Sequence, residues 1–223
     1  MTQLADGRRL AILLSAALYL CFADSLAAQP IDAALVIHVE NSAHVSPTML
    51  TEIGGYVQEA LARIRVEVIW VDETSRHHGA DAPPVQNAWS DHSTAHVSLA
   101  IVRNAERLAP HLKNDEMAMG WTPAGQSERT YVFYDRVEAF VLKNAFRVSG
   151  LRVPRVMAYA TEHELGHLLI PPLANAHSDS GIMKGSLGPG DIAPTFLGKM
   201  GFSATEGELM RQEILRRISG SSH

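Results

Sequence analysis

Pro154-Arg155-Val156-Met157-Ala158-Tyr159-Ala160-Thr161-Glu162-His163-Glu164-Leu165-Gly166-His167-Leu168-Leu169-Ile170 is the stretch from which the rest of the chain is read. Proline is tolerated in the first turn of a helix, and the pair Pro171-Pro172 stops one, so a single helix is predicted from Pro154 to about Ile170. Met157, Thr161, Leu165 and Leu168 form a face suited to a core. On another face His163 and His167 stand four residues apart, one above the other, and can hold one cation between them. Glu164 is angularly close to His163 and can reach a metal-bound water as general base.

A catalytic zinc takes three protein ligands and keeps one position open, so a third ligand is expected downstream. His177 lies ten residues after His167, beyond the helix break, and is followed by Ser178-Asp179-Ser180-Gly181-Ile182-Met183. Asp179 could replace or supplement it. Glu206 or Glu208 would give a thermolysin-like arrangement instead. Residues 157–183 resemble the metzincin clan of zinc metallopeptidases, and its matrixin-like members most. The resemblance implies a zinc site of His163, His167 and His177, with Glu164 as the catalytic base. It also implies that Met183 forms an apolar floor beneath the metal. Metzincins usually space the second and third histidines as His-x-x-Gly-x-x-His. Here the interval Leu168 to Ala176 is four residues longer and lacks that glycine, and Lys184-Gly185 stands where some members carry a tyrosine.

Around this segment the pattern predicts a small mixed layer, α/β (α+β) in class. Strands are expected at Ala33–Val39, Val66–Val71, Val97–Val102 and Thr130–Tyr134, each short and rich in β-branched or aromatic residues. Met117–Thr122 is a weaker strand that Gly120 and Pro123 assign to an edge. Ser46-Pro47 opens a helix carrying Leu50, Ile53, Val57, Leu61 and Ile64. A loop is expected over residues 74–95, and a short helix from about Arg136 to Phe146. Ser203 and Glu206 form a capping box for a last helix with Met210, Ile214 and Ile218 on its apolar side. The expected sheet is twisted and mostly parallel with one antiparallel edge, with the active-site helix under a cleft.

The first 28 residues read as a secretory signal peptide: Arg8-Arg9, an apolar run from Leu10 to Ala23, then small residues at Ala27-Ala28. The run is about 14 residues, short of the ~20 that span a bilayer. Residues 29–223 are expected to form one domain, exported or periplasmic, with no stable membrane anchor after cleavage. The single cysteine, Cys21, falls within the leader, which excludes an internal disulfide framework and cysteine-ligated zinc. Lys+Arg total 19 against 24 Asp+Glu, a net charge of −5, which argues against nucleic-acid binding. With 46% apolar and 19% charged residues, the 223-residue chain can bury a core without staples.

The function expected from these residues is zinc-dependent hydrolysis of peptide bonds by a metalloendopeptidase. By the resemblance, an extended peptide or protein substrate would pair with the edge strand near residues 117–122. The alternatives are a non-catalytic zinc-binding exported interaction protein, or a cell-envelope amidase using the same metal chemistry.

Overall fold

A computed structural model of the chain describes residues 33–73, 93–112, 118–125, 128–171, 177–186, 191 and 200–220. All fall within one compact unit, Ile31–His223. The expected leader, residue Met117 and residues 74–92 of the expected loop lie outside the described residues.

Five strands form one sheet: β1 (Ala33–Asn41), β2 (Val66–Asp72), β3 (Ala95–Val102), β4 (Gly120–Trp121) and β5 (Arg129–Phe133). Their spatial order is β2-β1-β3-β5-β4. β1 runs parallel to β2 and β3, and β3 parallel to β5, while β4 pairs antiparallel with β5. The fold is therefore mixed α/β with a mostly parallel sheet and one antiparallel edge. Helix α1 (Pro47–Ala62) makes the crossover from β1 to β2. Next come the short α2 (Ala105–Leu108) and a 3-10 turn (Pro110–Leu112). Then follow α3 (Tyr134–Asn144), α4 (Val153–Leu169) and α5 (Ala204–Gly220).

Strand alternation sorts the side chains. Leu35, Ile37 and Val39 of β1, with Val97, Leu99 and Ile101 of β3, join the main core. Helices α1, α3, α4 and α5 add Ile53, Phe140, Met157 and Ile214 to it. On the opposite face Phe133, Ala105 and Ala109 form a second, smaller cluster that Trp121 and Tyr131 border. That face also carries a polar chain. His38 Nδ1 donates to Glu73 Oε1 at 2.7 Å, His38 Nε2 lies 3.0 Å from His96 Nδ1, and His96 Nε2 lies 3.0 Å from Thr94 Oγ1.

Element ends follow local chemistry. Ser46 Oγ accepts from Met49 N–H at α1. At α5 the capping box closes in both directions: Glu206 N–H donates to Ser203 Oγ at 3.2 Å, and Ser203 N–H to Glu206 Oε2 at 2.7 Å. Four expectations shift. The edge strand shrinks from Met117–Thr122 to Gly120–Trp121, since Pro123 has no N–H for a ladder. Tyr134 ends no strand but opens α3, which therefore begins and ends two residues before the expected helix. β3 starts at Ala95, inside the expected loop. The α2 turn was not anticipated; four residues are too few to show a period.

α4 is the element that places the site. It packs against α1, β5, α3 and α5. From Ala160 to Leu169 every residue is buried except His163 and His167. Ile170 leaves the helix in extended conformation (φ −87°, ψ 129°), as the residue before a proline prefers.

The β1–α1 connection hangs on one buried side chain. Asn41 Nδ2 donates to the Val45 carbonyl at 2.8 Å and Asn41 Oδ1 accepts from Val45 N–H at 2.9 Å. Asn41→Ala strands both backbone groups, so a loss of about 2–4 kcal/mol is expected in urea unfolding. A loss under about 1 kcal/mol would show that the connection does not depend on Asn41.

Candidate metal centre

His163 and His167 project from α4 and His177 approaches from the segment beyond it. His167 Nε2 lies 3.0 Å from His163 Nε2 and 3.2 Å from His177 Nε2. The His163 and His177 rings are near-parallel, 23° apart with centroids at 5.3 Å, and His167 stands almost perpendicular to both. These three residues could hold one metal ion between them. A tetrahedral ion about 2.0–2.1 Å from each of three nitrogens would set those nitrogens roughly 3.3 Å apart, close to the two distances seen.

Proton accounting points the same way. His163 Nδ1–H donates to the Ile182 carbonyl at 2.8 Å, which leaves Nε2 of a neutral ring as a bare lone pair. His167 Nε2 faces Nε2 of both other rings and carries at most one proton, so it can donate to only one of them. A cation at the centre satisfies all three. Burial holds the His163 imidazole down to about 4, with the neighbouring imidazoles adding to the effect, so the ring is neutral and ready to ligate at pH 7.

The loop below the histidines is shaped to fit them. Ser178 N–H donates to the Met183 carbonyl at 2.9 Å, and Gly181 takes φ +76° to make the turn. Met183 is fully buried and its Sδ lies against Gly166, where any Cβ would collide with it. Gly166 stands between the two helix histidines, so Met183 packs on their backbone. A Cβ on Gly185 would come 3.0 Å from His177 Cγ. Gly185 thus makes room for the His177 ring.

Glu164 is buried and lines the same cleft. Thr122 Oγ1 lies 2.8 Å from Glu164 Oε2 and 2.7 Å from Thr130 Oγ1. One proton order satisfies the row: Thr130 donates to Thr122, and Thr122 to the carboxylate. Burial pushes the Glu164 carboxyl up to about 8, against the opposing pull of that hydrogen bond. A Cβ on Gly120 would fall 2.7 Å from Glu164 Oε1, so only glycine lets β4 pass this close. The cleft holds about 740 Å³ and runs from β4 past the histidines to Ile170 and α5.

Asp179 is exposed and outside the histidine group. Glu206 serves the α5 cap and Glu208 pairs with Arg211, so neither joins the group. Reading residues alone missed Tyr159, Thr122, Gly120 and Gly185. Tyr159 had a signal: it lies four residues before His163 on the same helix face. Its hydroxyl donates to the Ile182 carbonyl at 3.2 Å, and burial pushes its pKa well above the usual phenol range. The other three depend on contacts between distant segments.

The chain matches no protein-family model, no curated protein and no solved structure.

Two outcomes follow from this geometry. His177→Ala should weaken divalent-metal binding at least 100-fold in a competitive chelator titration, while Asp179→Ala changes it less than threefold. Greater loss from Asp179→Ala would put the third ligand at the carboxylate. The second concerns Glu162, which burial pushes up to about 8 despite Arg155 and Arg63 nearby. A carboxyl raised from its ordinary 4.5 costs nothing below that value and destabilises increasingly as pH climbs toward 8. Glu162→Gln should therefore match the parent near pH 4.5 and exceed it by on the order of 4 kcal/mol at pH 8. Equal stability at both pH values would refute the burial cost.

Proposed function

We propose that the protein is an exported zinc-dependent peptidase in which His163, His167 and His177 hold the metal. The observation that carries this reading is the pairing of a three-imidazole centre with a buried carboxyl, Glu164, on one wall of an open cleft. Three neutral imidazoles suit zinc among the common divalent ions. When bound, zinc supplies Lewis-acid polarisation of a carbonyl and acidifies water. The resemblance of residues 157–183 to metzincins supports the same reading, as does the buried Met183 packed on Gly166.

The chain's own residues then divide the work. Glu164 receives a proton from the attacking water and returns it to the leaving amine. The Thr130–Thr122 hydroxyl row holds the carboxyl in place through Oε2. Among the described residues β4 is an edge strand of the sheet, to which an extended peptide could add as a further strand. Its brevity keeps side-chain demands on the substrate few. No helix among the described residues is long and apolar enough to cross a membrane. Export rests on the leader read from the first 28 residues.

The deciding experiment pairs metal analysis with a peptide-library cleavage assay on the parent and on Glu164→Ala. The parent should carry about one zinc per chain and cleave peptides. The variant should keep its zinc and lose at least 100-fold in kcat/KM, the scale expected for removal of a general base. Zinc loss in the variant would mean that Glu164 is a ligand. Zinc binding without cleavage by the parent would leave a metal-binding protein that is not a peptidase.

A further inference from the structure

Helix α3 ends in an apolar patch that the described residues leave uncovered. Its inner face, with Val137, Phe140 and Val141, is buried. Its outer face carries Leu142, 67% exposed, and four residues on stands Phe146, 100% exposed. Single apolar residues are ordinary on a surface, but a whole phenyl ring in water close to a second exposed apolar side chain calls for an occupant. A frayed end does not account for it. Asn144 Nδ2 donates to the Phe140 carbonyl at 2.8 Å, and Val148 N–H donates to the Asn144 carbonyl at 3.1 Å. The Val148 side chain is buried in the main core, and Gly150 takes φ +81° as the chain turns toward α4. Phe146 therefore projects from a chain that is held on both sides.

Charge around the patch is one-sided. From Ala139 to Thr161 the chain has Lys143, Arg147, Arg152 and Arg155 and no Asp or Glu, in a protein of net charge −5. Arg152 pairs with Glu52 at 3.1 Å, and Arg155 lies over the Tyr56 ring at 4.1 Å. Lys143 and Arg147 differ from these. Both are exposed, and neither side chain has an ion-pair or hydrogen-bond partner among the described residues. Glu138, the acid that precedes the run, already accepts from the Tyr134 hydroxyl at 3.3 Å and faces Arg103 at 3.9 Å. A helix C-terminus favours cations, which accounts for the two charges but not for the bare ring between them.

A second copy of the chain is a poor occupant, because a symmetric contact would set these cations face to face. The partner that fits is anionic and admits a projecting ring without a matching rigid pocket. A lipid surface does both: the acyl boundary takes apolar side chains of any shape while the cations stay level with the phosphates. We propose that Leu142 and Phe146, flanked by Lys143 and Arg147, dock the protein reversibly on the surface of an anionic lipid bilayer. None of the four lines the cleft, and His163 stands about 15 Å along α4 from its first residue, Val153. Docking here leaves the candidate metal centre free, and the inference does not rest on the peptidase reading.

The full chain as exported by an expression host, its N-terminus read by mass spectrometry, is mixed with two kinds of vesicle. One is phosphatidylcholine alone and the other also holds phosphatidylglycerol; the bound fraction is read by co-sedimentation. Partition onto the anionic vesicles should exceed that onto the neutral ones at least tenfold and fall in high salt. Leu142→Ser with Phe146→Ser should lower it at least tenfold. Lys143→Gln with Arg147→Gln should lower it about 25-fold, roughly fivefold for each cation. All four side chains are exposed, so thermal melts of both double variants should match the parent. Phe146→Trp gives a direct reading: the fluorescence it adds over the parent should be quenched by brominated lipid in the anionic vesicles. Equal partition onto both vesicles, no binding, a double variant that binds as the parent does, or an unquenched Phe146→Trp signal overturns the inference. Binding to soluble polyglutamate as tight as to the anionic vesicles overturns it too, and would make the partner an acidic protein.

Discussion

The carbonyl of Ile182 organises the candidate centre. It accepts one hydrogen bond from His163 Nδ1 and one from the Tyr159 hydroxyl, two side chains a single helical turn apart. Those two bonds clamp the turn Gly181–Lys184 to the flank of α4. They also fix which nitrogen of His163 carries its proton, and so which one is free to ligate. Met183 can then lie only against Gly166, and Gly185 only against the His177 ring. A helix and a loop thus meet through two backbone-directed bonds, one of which sets the direction of the His163 imidazole.

The sheet serves this arrangement from the other side. β5 is followed at its edge by β4, two residues long, which carries Gly120 and Trp121 on opposite faces. The glycine lets Glu164 approach the strand. The tryptophan stacks on Tyr131 with centroids at 5.6 Å and anchors β4 to the outer cluster. The strand is held by its outer face, so its inner face can stay open beside the carboxyl.

Much of this was legible in the chain. β1, α1 and β2 showed because period two and period 3.6 are both strong there and Ser46-Pro47 marks a start. The capping box at Ser203 and Glu206 is chemistry within four residues and formed as read. His163, His167 and Glu164 were legible because a helix turns spacing into direction. Tyr134 was misread because tyrosine favours strands and Phe133 offers no side-chain cap to announce α3. Thr122 beside Glu164 was not legible at all: forty-two residues separate them and only the fold makes them neighbours. His177 was one candidate among several, since a ligand beyond a helix break has no period to locate it.

The proline stop after Ile170 bears on how the third imidazole is delivered. A helix ended by Pro171 leaves in extended conformation and needs more chain to return than one that turns on a glycine. Nine residues intervene between His167 and His177, where the pattern His-x-x-Gly-x-x-His uses five. The effective concentration of a tethered group falls roughly as the −3/2 power of tether length, so the longer route dilutes the His177 ring by only about two- to threefold. Against the much larger gain from a third ligand, that dilution is slight. Tether length is therefore nearly free to vary in such a centre, while the space for the ring at the far end of the tether, beside Gly185, is tight.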